Sequence, residues 1–209
     1  MKVQDWLVTD NGNCDKCPAP KLWDLLTERD NYRLYRFLTE LEDIMTEAEE
    51  RGHSEAEFLP LLRRLVRKLI LKSYWVTTQT PQLNQDEKIG LNMLYDEPGF
   101  PITIQTEIMA QGSYTSIHNH GTWGVVATLK GQSKNIFWKR VPTPEYPDKI
   151  EPVGEQILLP GEIISFTTEA IHSVEAIGDE PTITFNLYGD TNASKRFEFD
   201  AVTHQAKKF

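Results

Sequence analysis

Residues 112–131 read GSYTSIHNHGTWGVVATLKG, and the reading of this stretch decides the fold. A strand turns successive side chains to opposite faces. His118 and His120 therefore point to one side and Asn119 to the other. Gly112 and Gly131 bracket the stretch as turns, so the unit is turn, histidine-bearing strand, apolar strand, turn. Same-side imidazoles converge readily on one ion. Two hydrogen-bonded histidines beside a buried strand are the plainer alternative.

Outward from this stretch the texture stays β-rich. Strands are expected over 102–109, 114–119, 123–129, 133–139, 155–159, 162–167, 172–177 and 181–188. Pro98-Gly99, Lys130-Gly131, Pro160-Gly161 and Gly178-Asp179 punctuate them. Short strands at this spacing imply a sandwich or small barrel, and no long helix interrupts them as a doubly wound sheet would require. Three further histidines exist. His172, in TTEAIHSVEA, enters a strand of the same region and is the candidate third ligand, whereas His53 and His204 lie in the helical part and the tail and read as packing or solvent groups.

The N-terminal part differs. Residues 1–20 are polar and turn-rich, and 21–75 read as helical. Apolar residues at 34, 37, 38, 41, 44 and 45 follow helical spacing, and Gly52 ends that helix. Ser54 with Glu57 forms a capping pattern for a second helix. Leu61, Leu62, Leu65 and Leu69 mark its apolar face, which is expected to pack on the main domain, with Pro60 in the first turn. The expected organisation is a turn and helical region over 1–80 packed on a β domain over 81–209. Cys14 and Cys17 form a lone CxxC without further zinc ligands nearby and read as ordinary thiols in a turn.

The chain has 209 residues with 22 Lys and Arg against 31 Asp and Glu, a formal charge of −9. That balance argues against a nucleic-acid partner. There is no run of 18 apolar residues and no apolar signal core, so no membrane partner and a cytoplasmic location are expected. The sequence leaves the oligomeric state open.

The 112–131 unit resembles the cupin superfamily. Its first motif, G-x5-H-x-H-x(3 or 4)-E-x6-G, is matched by Gly112, His118, His120 and Gly131, with Gly124 where the glutamate falls. Gly154 and Pro160 fit the opening of the second motif, Gly161 is one residue early, and His172 comes late. The resemblance implies a mostly β cupin double-stranded β-helix, a jelly-roll barrel, with an N-terminal helical region. Within that superfamily the chain is most similar to the thiol dioxygenase group, the cysteine dioxygenase and 3-mercaptopropionate dioxygenase type, over roughly residues 55–200. TSIHNH, the missing glutamate, the late histidine and Tyr188 in FNLYGD carry this likeness.

Carried over, the resemblance implies an Fe(II) cofactor held by His118, His120 and His172, with Tyr188 as the catalytic tyrosine. The relay that orients the family's tyrosine through a serine and a histidine reads Thr184 and Asn186 here, and asparagine does not titrate near neutrality. No cysteine follows the ligands between Thr122 and Val126, so no cysteine–tyrosine crosslink is expected. The upstream arginine of the mammalian type falls on Leu91 or Asn92, and Arg196, after the tyrosine, is the candidate carboxylate partner. Trp123 is a candidate for the pocket mouth, with simple core packing the equal alternative. The implied reaction joins a small thiol and O2 to give a sulfinate. Two rival readings stand beside it: another three-histidine cupin oxygenase or metal-dependent enzyme with a non-thiol substrate, and a non-catalytic β-barrel binding or regulatory protein.

Overall fold

The computed structural model describes residues 4–19, 32–73, 76, 78, 81–84 and 86–209. The parts of the expected helical region that fall on 21–31 and 74–75 lie outside the described residues. Two short strands come first, β1 (Asp5–Val8) and β2 (Cys14–Cys17), then helices α1 (Leu34–Arg51) and α2 (Glu55–Lys72). Strands follow as β3 (Ile89–Asp96), β4 (Thr103–Met109), β5 (Ile117–Asn119), β6 (Gly124–Lys130) and β7 (Gln132–Arg140). The last are β8 (Ile150–Leu158), β9 (Ile163–Phe166), β10 (Ile171–Ile177), β11 (Thr182–Tyr188), β12 (Phe197–Asp200) and β13 (Gln205–Lys208).

The protein is mostly β, with two sheets and an N-terminal helical region. One sheet has the order β2-β1-β9-β6-β11-β4-β3, and the other β13-β12-β5-β10-β7-β8. Side chains from both sheets line one cavity of about 610 Å³.

Alternation along β11 shows how the sequence sets the layers. Ile183, Phe185 and Leu187 are buried on one face. Thr182, Thr184, Asn186 and Tyr188 line the cavity on the other. Phe185 and Leu187 belong to a core shared with Phe37 and Leu41 of α1 and Leu62 and Val66 of α2. The Phe37 and Phe185 rings meet edge-on at 6.4 Å. Each such buried side chain contributes about 1.5–3 kcal/mol. The helices thus cover the back of the sheet and leave its front to the cavity.

Gly52 closes α1 in the left-handed region at φ 65°, and the Glu57 carboxylate accepts the Ser54 N–H and hydroxyl at 2.7 Å each. Pro60 sits at the sixth residue of α2 rather than in its first turn. One helical N–H is missing there. Arg63 and Arg67 are buried together with Leu62, Leu65 and Leu69, and Leu61 is the exposed one. Arg63 donates to Ser165 Oγ at 2.6 Å, and Arg67 donates to the Gly161 carbonyl at 2.8 Å and to the buried Asp5 carboxylate. These polar bonds fasten α2 to β1 and β9. Burial pushes the Asp5 carboxyl up and the arginines beside it pull it down, with burial the larger effect.

The N-terminal turn of the sequence reading is instead a hairpin. β1 pairs with β2 and runs parallel to β9, extending the seven-stranded sheet. Cys14 and Cys17 are free thiols at the two ends of β2. Burial pushes Cys14 up to about 12, the wrong direction for a reactive thiol. The edge strand β3 and the tail strands β12 and β13 were also absent from the expected set, and β8 begins at Ile150 rather than 155. Among the described residues, no helix is long and apolar enough to cross a membrane.

Candidate metal centre

His118 lies on β5 and His172 on β10, and the two are direct cross-strand partners. His120 follows β5 by one residue. The three rings converge, with one nitrogen of each within 4.8 Å of the others. His120 Nε2 and His172 Nε2 are 2.9 Å apart. The third ligand expected from a distant part of the sequence therefore comes from the neighbouring strand.

Two rings are oriented from behind. His118 Nδ1 donates to the Ser116 carbonyl at 2.9 Å, and His172 Nδ1 donates to Asn135 Oδ1 at 3.1 Å. Each bond fixes the proton on Nδ1 and leaves Nε2 with a free lone pair toward the cluster. Burial holds all three imidazoles below the usual histidine range, and neighbouring rings push His120 and His172 down further. Neutral, lone-pair-presenting imidazoles are the state a divalent ion requires. The donor set thus fits a metal that accepts nitrogen ligands, with Fe(II) among those it suits.

The Tyr188 ring stacks on His120, with centroids 4.7 Å apart and planes 30° from parallel. A Cβ built on Gly124 would stand 2.9 Å from both Tyr188 Cδ1 and Cε1. The glycine at the motif's glutamate position therefore makes room for the tyrosine ring. Burial and Glu107 raise the Tyr188 phenol far above its ordinary value, while Arg196 lowers it to a smaller extent. The phenol keeps its proton at neutral pH. Phe166 packs on His172 with centroids 4.3 Å apart and shields the cluster.

Asn119 faces away from the cluster, as alternation requires, and is fully buried. Its Nδ2 donates to the Lys195 carbonyl at 2.8 Å, and its Oδ1 accepts the Phe197 N–H at 2.7 Å. The backbone on both sides of Arg196 is pinned to the residue between the two ligands. Gly121, at φ 66°, lets the chain turn there, and a Cβ on it would stand 2.7 Å from the Asn192 carbonyl oxygen. Arg196 lines the cavity, its guanidinium 3.9 Å from the Phe209 ring centroid. It has no carboxylate partner among the described residues, and its buried Nε has no acceptor.

Thr184 and Asn186 line the cavity with Tyr188, and the buried Asn186 Oδ1 has no donor among the described residues. Trp123 does not line the cavity. It packs in the helix-facing core, its ring edge-on to Phe58 at 5.7 Å, because the residue before Gly124 faces the back of the sheet. Tyr114 stands exposed at the cavity rim, while Tyr95 bonds Glu97 outside it. Sequence reasoning missed Glu107, Asn135, Ser116 and Phe166. Only Glu107 carried a signal, a lone acid at an inward position of an otherwise uncharged strand.

The class defined so far is a two-sheet β protein whose facing sheets enclose a three-histidine cluster. No family model matches the chain, and no curated protein matches it. Among solved structures, an oxalate oxidase in complex with glycolate shares 13% identity over 55% of this chain and 57% of that one, with a TM-score of 0.43. Peruvianin-I, a cysteine peptidase from Thevetia peruviana latex, shares 14% over 55% and 69%, with a TM-score of 0.42. A cupin superfamily protein from Desulfitobacterium hafniense shares 11% over 52% and 82%, with a TM-score of 0.40. The matched part spans less than two thirds of the oxalate oxidase, and none of these likenesses carries a function to this chain.

Proposed function

We propose that this chain is a cupin-type, iron-dependent dioxygenase that joins a small carboxylate-bearing thiol to O2. The net change is RSH + O2 → RSO2H. Both oxygen atoms end on sulfur, which gives up the four electrons that O2 takes. The observation that carries the reading is the convergence of His118, His120 and His172, with two rings locked to present Nε2. Iron(II) held by these three nitrogens would supply the redox partner for O2 and favour the thiolate over the thiol.

The chain's own residues do the rest. Arg196, which lines the cavity and has no carboxylate partner among the described residues, clamps the substrate carboxylate. Asn119 holds that arginine's backbone in place. Tyr188 keeps its phenolic proton and donates a hydrogen bond beside His120. Thr184 and Asn186 continue its wall and orient polar parts of the substrate. Phe166 and Val126 exclude water from the cluster.

Anaerobic loading with Fe(II), followed by oxygen uptake with cysteine, 3-mercaptopropionate and cysteamine, tests the reading. Uptake is expected with the two carboxylates and weakly with cysteamine, which lacks one. Iron-loaded protein that consumes no O2 with any of the three overturns it. One observation favours a second reading, a metal-dependent enzyme with a larger, non-thiol substrate. The cavity of about 610 Å³ exceeds what a three-carbon thiol fills, and Glu107 lies in it unused.

A further inference from the structure

Glu107 is a half-buried acid on the cavity wall, flanked in register by Leu91 of β3 and Thr184 of β11. Its carboxyl makes no hydrogen bond or ion pair among the described residues. The other acid lining the cavity, Glu198, is engaged by Lys207 at 2.7 Å. Arg196 in the same cavity is also unpaired, and the two are not partners. Tyr188 senses both, Glu107 raising its phenol and Arg196 lowering it. Neither Glu107 nor Arg196 senses the other.

The register spaces Glu107 from Tyr188, the cavity residue whose phenol Arg196 lowers. Tyr188 lies opposite Thr103, and Thr184 lies opposite Glu107. Four residues of β4 separate those levels, about 13 Å of strand. Between those levels Asn186, opposite Gln105, lines the same wall. An unpaired cation near the metal ligands and an unpaired acid farther along one cavity complement a ligand with opposite charges at its two ends.

We infer that Glu107 determines specificity by binding a cationic amine on a substrate whose anionic group sits on Arg196, so that the site takes an extended zwitterion longer than free cysteine. The inference rests on the cavity being the substrate pocket of the metal site. Burial raises the Glu107 carboxyl to about 7, and an ammonium group beside it would restore its charge.

The test uses sulfur-free probes, so it is independent of thiol oxidation. Calorimetric titration of the purified full chain compares β-alanine, γ-aminobutyrate and ε-aminocaproate with propionate, butyrate and caproate. Affinity is expected to rise with amine–carboxylate separation, with ε-aminocaproate binding about tenfold tighter than caproate or better. E107Q, checked for folding by its thermal midpoint, erases that gap, and E107D, which keeps the charge, restores it. Equal binding of amino acid and fatty acid by the wild type overturns the inference. A gap that survives in folded E107Q, or no binding by any probe, does so too. A zwitterion preference without oxygen uptake would leave the inference standing and sink the thiol reading alone.

Discussion

Asn119 Oδ1 accepts the Phe197 N–H at 2.7 Å. That bond, with its companion to the Lys195 carbonyl, couples the His-Asn-His stretch to Arg196. The residue between two ligands thereby sets where the cavity's arginine stands. Asn119→Ala removes both bonds, each worth about 0.5–1.5 kcal/mol, from the half-buried backbone beside Arg196. The KM for a carboxylate-bearing substrate should rise about tenfold. Bound metal, measured by elemental analysis, should stay at the wild-type level, because the side chain faces away from the cluster.

Gly124 carries a steric prediction. A Cβ there would stand 2.9 Å from the Tyr188 ring. Gly124→Ala should push the ring off His120 and lower kcat by about tenfold to a hundredfold, with metal content retained. Steady-state kinetics beside a metal assay separates this from simple loss of the site.

Asn135 holds the His172 ring by accepting from Nδ1 at 3.1 Å. Asn135→Ala frees the ring and its tautomer. Competition with a chelator should show metal affinity weakened about 10–100-fold, with the thermal midpoint of the metal-free protein changed little.

Glu107 gives a pH signature. Its ordinary value is 4.5, and burial lifts it to about 7 in the folded chain. Of the groups facing it from neighbouring strands, Tyr188 of β11 keeps its proton throughout this range and β3 presents Ile89, Leu91 and Met93. His118, His120, His172, Arg196 and Glu198 stand elsewhere on the cavity wall. The folded chain holds a proton that the unfolded chain loses above 4.5. The group's stabilising contribution is therefore full below that value and is lost as pH rises through about 7. Relative to E107Q, the wild type should lose about 1–3 kcal/mol between about pH 5 and about pH 8 in urea unfolding.

Asp5 and Arg67 form a buried pair joining β1 to α2. Asp5→Ala leaves the arginine's charge uncompensated and should destabilise the fold by about 3–5 kcal/mol, read as a shift in the urea midpoint.

The ligand stretch was legible in the sequence because strand alternation alone fixes which side chains share a face, and His118, His120, Tyr188, Thr184 and Asn186 all follow it. The helix ends at Gly52 and Ser54 were legible for the same local reason. β1, β12 and β13 were not, since four-residue strands such as Asp5–Val8 take their structure from the partner they pair with. Trp123 suited the pocket mouth and the core equally in the sequence, and its place on the back of the sheet puts it in the core. The burial of Arg63 and Arg67 depended on Ser165 and Asp5, far away in sequence. Glu107 became meaningful only once the fold brought it into the same cavity as Arg196, neither having an ion-pair partner among the described residues.

The proposed reaction places both atoms of O2 on a thiol sulfur. Its most direct test supplies isotopically heavy O2 to the iron-loaded protein with a carboxylate-bearing thiol and examines the product by mass spectrometry. A sulfinate carrying label in both oxygens, absent from the His172→Ala variant, is the expected result. Iron-loaded protein that forms no labelled sulfinate would contradict it.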